Sequence, residues 1–285
     1  MSNKVYEIIT AKILEELEKG EIPWHRPWTG GGYPKNLVTK KEYRGINVFL
    51  LACQKYSSPY WLSYKQAQDL GGTVKKGEQS TMVVFWKQIA MEDKNNQGET
   101  VKKTIPFLRY YRVFNIEQCE GIDEKKIPQT EIRQDFQPIK ECENVLNGMP
   151  KKPEIKFEES RAYYHTMNDF VNMPKKESFE KEEFFYSVLF HELGHSTGHK
   201  SRLDRATITE ATHFGTENYS KEELVAEMTA SFLCGYCQIE NQTISNSTAY
   251  IQSWLKKLRD DVKMVVLAAA QAQKASDFIL DRKFD

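Results

Sequence analysis

The chain has 285 residues, 40% of them hydrophobic and 28% charged, with a formal net charge of zero. This composition suits folded globular structure and excludes general disorder, and the length suits two domains of ordinary size. No run approaches the roughly 20 apolar residues that a membrane-spanning helix needs. The neutral total conceals an asymmetry: residues 1–120 hold 18 Lys and Arg against 13 Asp and Glu, and residues 121–285 hold 22 against 27. Trp24, Trp28, Trp61 and Trp86 also fall in the first part. A mildly basic, aromatic-rich half beside an acidic one predicts two modules with different partners. Five scattered cysteines form no disulfide framework, and the Cys234-x-x-Cys237 pair, set in an apolar helical run, reads as core. The charged amphipathic start has no signal-peptide core, so a cytoplasmic location is expected.

Residues 5–19 place Val5, Ile8, Ile9, Ile13, Leu14 and Leu17 on one broad face and stop at Gly20, which predicts a helix. The Gly- and Pro-rich stretch 21–45 is irregular, and helical patterning returns at 46–56. Ser63 is a candidate cap for a short helix ending at Gly71-Gly72. Two strand-like runs, Thr81–Trp86 and Phe107–Phe114, flank the polar turn segment Asp93–Gly98 and predict a long hairpin. A polar linker is expected over 121–136, separating a domain of residues 1–120 from one of residues 137–285. The second domain is predicted as a helix over 137–147, short strands at Pro153–Phe157 and Ala162–His165, and a helix capped by Ser178 and running through His195. Residues 199–219 read as loop, Ser220 begins another helix, and 247–280 hold one or two more. The fold class is α+β: a mixed N-terminal domain, then a mainly helical domain with a small sheet.

The chemistry concentrates in His191-Glu192-Leu193-Gly194-His195. Histidines four apart on a helix project from one face, so both imidazoles can reach a single ion, and Glu192 sits at the edge of that face as a general acid/base should. A catalytic zinc needs a third protein ligand. Glu223, in Glu223-Leu224-Val225-Ala226-Glu227, resembles the gluzincin arrangement, in which the first carboxylate binds zinc and the acid four residues on supports a ligand histidine. Ser220 to Glu223 also matches a capping box, and His199 is a rival ligand that continues the spacing beyond His195. His199 and Tyr219 are otherwise pocket candidates. Zn2+ is the expected ion, with another divalent ion as the alternative.

Taken together, His191 to His199, Ser201-Arg202-Leu203-Asp204-Arg205 and Glu222 to Glu227 resemble the metallopeptidase domain of ArdC-type antirestriction proteins. Ile22-Pro23-Trp24, Pro27-Trp28, Tyr43-Arg44-Gly45-Ile46-Asn47, Tyr60-Trp61 and Lys75-Lys76-Gly77-Glu78 resemble that family's single-stranded-DNA-binding domain, so the resemblance covers nearly the whole chain. It implies a zincin-like fold in the second domain, carriage on conjugative plasmids and other mobile elements, and protection of incoming DNA from restriction. Single-strand binders combine cations that follow phosphates with aromatic faces that stack on bases. On that basis Trp24, Arg26, Trp28, Tyr43, Arg44, Asn47, Lys75 and Lys76 are the expected DNA contacts. The function expected is an antirestriction protein that binds single-stranded DNA and hydrolyses peptide bonds, with a restriction enzyme or DNA-bound protein as substrate and no membrane partner. The alternative is a protein that only coats single strands and whose metal site is structural or vestigial.

Overall fold

The structure, a computed structural model, describes residues 2–24, 33–94, 100–128, 138–209, 217–241 and 248–283. At 2–3, 86–94, 100–108, 138, 209, 217–219 and 248 it describes the backbone alone. Helix α1 (Ser2–Glu18) buries Val5, Ile9, Ile13 and Leu17, a four-residue repeat along one face. Its end is set by Gly20, whose φ of 83° lets the Gly20 and Glu21 amides turn back to Leu17 O and Glu16 O. Next come β1 (Lys35–Asn36), α2 (Ile46–Ala52), β2 (Tyr60–Leu62), α3 (Tyr64–Asp69), β3 (Thr73–Val74), β4 (Thr81–Lys94), β5 (Thr100–Asn115) and β6 (Cys119–Glu120). Ser63 caps α3 in a full capping box with Gln66, as the sequence suggests.

A four-stranded sheet in the order β1-β2-β5-β4 and a two-stranded β3-β6 sheet form the N-terminal β structure. The hairpin is longer than its apolar runs, pairing Thr81 with Val113 at its base and Lys94 with Thr100 at its tip. Backbone ladders need no apolar side chain to continue, so the polar outer half carries no hydrophobic signal.

The second half contains α4 (Pro138–Gly148), β7 (Glu154–Lys156), β8 (Tyr163–His165), β9 (Phe170–Asn172), α5 (Glu182–Ser196), α6 (Ala206–Thr209), α7 (Glu217–Cys237), α8 (Thr248–Asp260) and α9 (Met264–Ile279). Its three-stranded sheet runs β7-β9-β8, with β8 on an edge. The central strand β9 escapes the sequence because three residues are too few to show a period. Ser178 does not cap α5: it closes a 3-10 turn over Lys176–Ser178, and α5 starts after Lys181. Helix α7 starts at Glu217, so Ser220 lies inside it and is no cap. Residues 121–128 of the expected linker hold a 3-10 turn over Glu124–Lys126, and the rest of it lies outside the described residues.

The largest core draws on both halves of the chain. Val5, Ile9, Ile13, Trp24 and Phe49 pack with Leu224, Met228, Phe232, Trp254 and Leu258. Phe49 stacks on Phe232 with centroids 5.1 Å apart. Trp24 sits fully buried and edge-on to Trp254, where its side chain supports both halves at once. Trp24→Ala is therefore expected to cost about 3–5 kcal/mol of unfolding free energy in a urea titration; a variant as stable as the parent would contradict this placement.

Candidate metal centre

Helix α5 is buried nearly all round, with Phe185, Tyr186, Leu189, Phe190 and Leu193 in the second core alongside Val171, Met173, Leu233 and Cys234. It passes very close to α7. A Cβ placed on Gly194 would stand 3.2 Å from Ala226 Cα and 3.2 Å from Thr229 Cβ. That contact brings the histidine face of α5 against the acidic start of α7.

His191 Nε2 and His195 Nε2 lie 3.2 Å apart. Glu223 places Oε2 3.6 Å from the first and Oε1 3.5 Å from the second. Donors on a tetrahedral ion at bond lengths of ~2.0–2.1 Å stand roughly 3.3–3.4 Å apart, so the three atoms fit one small divalent cation. Among the described residues this is the one group of three or more His, Cys, Asp or Glu side chains gathered closely enough to hold a metal. Glu192 lines the same cleft, a space of about 430 Å³ bounded by Tyr163, Tyr164 and Thr166 on one side and Thr207 and Ile208 on the other.

The surroundings fix these side chains. His195 Nδ1 lies 3.4 Å from Glu222 Oε1. Glu222 is in turn held by Arg205, whose Nε donates to Oε2 at 3.1 Å, and by the Thr207 hydroxyl. Arg205 also donates to Gly194 O at 2.8 Å, and Arg202 Nε donates to Ser196 O at 2.7 Å, so the two arginines satisfy carbonyls left open at the end of α5. Burial opposes a charge on His195, but the Glu222 hydrogen bond and the charges of Glu223, Glu192 and Glu222 outweigh it and push the imidazole up to about 9. Burial would raise Glu222, yet His195 and Arg205 hold it below the ordinary carboxylate range.

The structure thus brings His191, Glu192, His195 and Glu223 together. His199 lies beyond the end of α5, where its Nδ1 meets Ser201 Oγ at 2.8 Å and Asp169 at 3.6 Å, outside the metal-sized group. Glu227 does not reach His195: it is buried, and its Oε2 accepts from Trp24 Nε1 at 3.0 Å and from the Tyr250 hydroxyl. The carboxylate behind His195 is Glu222, which the sequence reading missed. Its one signal in the sequence is Arg205 in Leu203-Asp204-Arg205, a cation that needs a carboxylate once it is buried. The side chain of Tyr219 lies outside the described residues.

The expected DNA contacts divide as well. Trp24 is 0% exposed and donates to Glu227, so its ring has no face to offer a base. Arg26 and Trp28 lie outside the described residues. Tyr43 is buried under the hairpin, Arg44 pairs with Asp277, and Asn47 exchanges two 2.7 Å hydrogen bonds with the Val84 backbone. These three nonetheless line a groove of about 540 Å³ together with Lys41, Lys65, Phe85 and Tyr111. Phe85 and Tyr111 are 53% and 44% exposed, unusual for large rings on neighbouring strands, and the sequence reading did not single them out for this role. Lys75 and Lys76 are exposed away from that groove, and Lys75 donates to Glu117 O. No helix among the described residues is long and apolar enough to cross a membrane.

Residues 3–114 match the N-terminal domain of the anti-restriction factor ArdC, and residues 143–271 match a zincin-like metallopeptidase family. Crystal structures of the ArdC antirestriction protein from plasmid R388 superpose on the chain with a TM-score of 0.75. The metal-free form is 35% identical and covered over 96% of its length, and the Mn(II)-bound form is 33% identical and covered over 97%. A DNA primase TraC of Escherichia coli is 34% identical over 294 residues. That match takes in 96% of this chain but 27% of the primase, so the chain spans about a quarter of that relative's length.

A metal ion has to displace the His195 proton to bind. Affinity is therefore expected to rise about tenfold per pH unit from pH 7 and to level off near pH 9, with about one proton released at neutral pH. The metal-free chain should show the opposite trend, since the raised value adds stability that is full below the unfolded pKa of 6.5 and is lost as pH rises through about 9. Calorimetric titration in buffers of differing ionisation enthalpy checks the proton count, and a pH-independent affinity would contradict it.

Proposed function

The chain belongs to the ArdC family of antirestriction proteins, and on that premise we propose that it binds single-stranded DNA and hydrolyses peptide bonds at a mononuclear divalent-metal site held by His191, His195 and Glu223. The observation that carries this reading is the spacing of 3.2, 3.5 and 3.6 Å among three donor atoms beside Glu192 in an open cleft. Two imidazoles and a carboxylate suit zinc, and the Mn(II) bound by the R388 relative supports a site that tolerates other divalent ions. Such an ion would supply a Lewis acid that acidifies water and polarises a peptide carbonyl. Glu192 takes the proton from the attacking water and returns it to the leaving amine. Glu222, backed by Arg205, keeps the His195 ring turned so that Nε2 faces the cleft. Tyr163 and Tyr164 belong to the edge strand β8 and line the cleft, so an extended substrate can pair its backbone with that edge. This suits an unfolded or looped stretch of a restriction enzyme or DNA-bound protein.

For DNA we assign the groove between the hairpin and α3, where Phe85 and Tyr111 offer ring faces and Lys41 and Lys65 offer charge. Residues 1–120 and 137–285 then act as the binding and the hydrolytic unit. The second reading, coating without hydrolysis, differs at a single residue's chemistry. Glu192→Gln should bind metal as the parent does while losing peptide hydrolysis and antirestriction activity; full protection of incoming DNA by that variant would favour coating alone. Tyr111→Ala with Phe85→Ala should weaken binding of an oligodeoxythymidine by at least tenfold in fluorescence anisotropy, since each stacked base contributes about 1–3 kcal/mol. The parent's affinity should fall linearly in log–log form with salt. Unchanged affinity in the double variant would place the interface elsewhere.

A further inference from the structure

Resting on the metal site proposed above, we infer that Trp24, which the N-terminal segment delivers onto α7, is a positioning residue for that site: with Tyr250 it holds the Glu227 carboxylate ready to accept the Nδ1–H of His191. An imidazole that binds a metal through Nε2 carries its proton on Nδ1, and that proton needs an acceptor. His191 Nδ1 is buried and has no hydrogen-bond partner among the described residues. A buried donor left this way keeps the full cost of its desolvation. Glu227 is the next acid along α7, one turn from Glu223 and therefore on the same face, and it lies within the electrostatic reach of His191.

Glu227 is pinned from the far side. Trp24 Nε1 and the Tyr250 hydroxyl both donate to Oε2, and Oε1 takes no hydrogen bond among the described residues. The Trp24 backbone is itself tied to α7, because Ser231 Oγ donates to its carbonyl oxygen. Indole is a donor only, so the Trp24 ring can hold the carboxylate through its N–H alone. The hydrogen bond from Trp24 to Glu227 thereby joins residues 203 positions apart in sequence.

The test is a double-mutant cycle read as Mn2+ affinity by chelator competition on the full chain. Trp24→Phe keeps a buried ring and removes the N–H. It should weaken Mn2+ binding by roughly tenfold or more, the range that outer partners of metal ligands usually command. In the Glu227→Gln background the same change should cost almost nothing, because its route to the metal is already cut. An equal loss in both backgrounds, or no loss in either, would overturn the inference. Tyr250→Phe carries the same cycle if Trp24→Phe does not fold. A parent chain that binds no Mn2+ would overturn the metal site itself, and this inference with it.

Discussion

The close approach of α5 and α7 is the constraint from which the rest of the site follows. Gly194 permits it, since a side chain there would press on the backbone of Ala226 and on Thr229. Packed helices stand about 8–10 Å apart depending on the side chains at their contact, and a glycine there favours close approach. Here a carboxylate on one helix stands about 3.5 Å from imidazoles on the other. Glycine inside a helix usually costs about 1 kcal/mol relative to alanine, and at this position that cost is offset by the geometry it allows.

The second constraint is electrostatic. Bringing Glu192, Glu222, Glu223 and Glu227 near one another would be strongly unfavourable without cations, and three of these four are buried. Arg205 meets that need from the loop after α5, reaching Glu222, Thr197 and Gly194 O at once. A buried ion pair of this kind is weak evidence for stability, because desolvation cancels much of the Coulomb gain. Its clearer effect is orientation: it locks the carboxylate that orients His195. The Glu222 hydrogen bond and the remaining negative charge raise His195, and a divalent ion would neutralise that charge.

The parts legible in the sequence are those set by local periodicity. Histidines at i and i+4 share a helical face wherever the helix lies, so the pair and its neighbour Glu192 could be named from five residues, and Ser63 could be read as a cap from its position before α3. Glu223 followed from a resemblance to known peptidases. Glu222 could not be told from its neighbour, because 100° of helical rotation decides which of two adjacent acids faces the cleft and which faces Arg205. Trp24 misled for a related reason. A tryptophan beside glycines and prolines suggests an exposed loop, yet its large apolar area is better buried if a partner exists for the N–H, and that partner lies two hundred residues away on α7. The exposed pair Phe85 and Tyr111 reads in sequence as ordinary alternating strand, and only the register of β4 with β5 puts both beside the groove.

Anomalous diffraction from crystals soaked in Mn2+ tests the central claim most directly. The account requires one strong peak about 2.0–2.2 Å from Nε2 of His191, Nε2 of His195 and a carboxylate oxygen of Glu223, with an open position toward the cleft. A peak ligated by His199 in place of Glu223, or no peak between the two imidazoles, would contradict it.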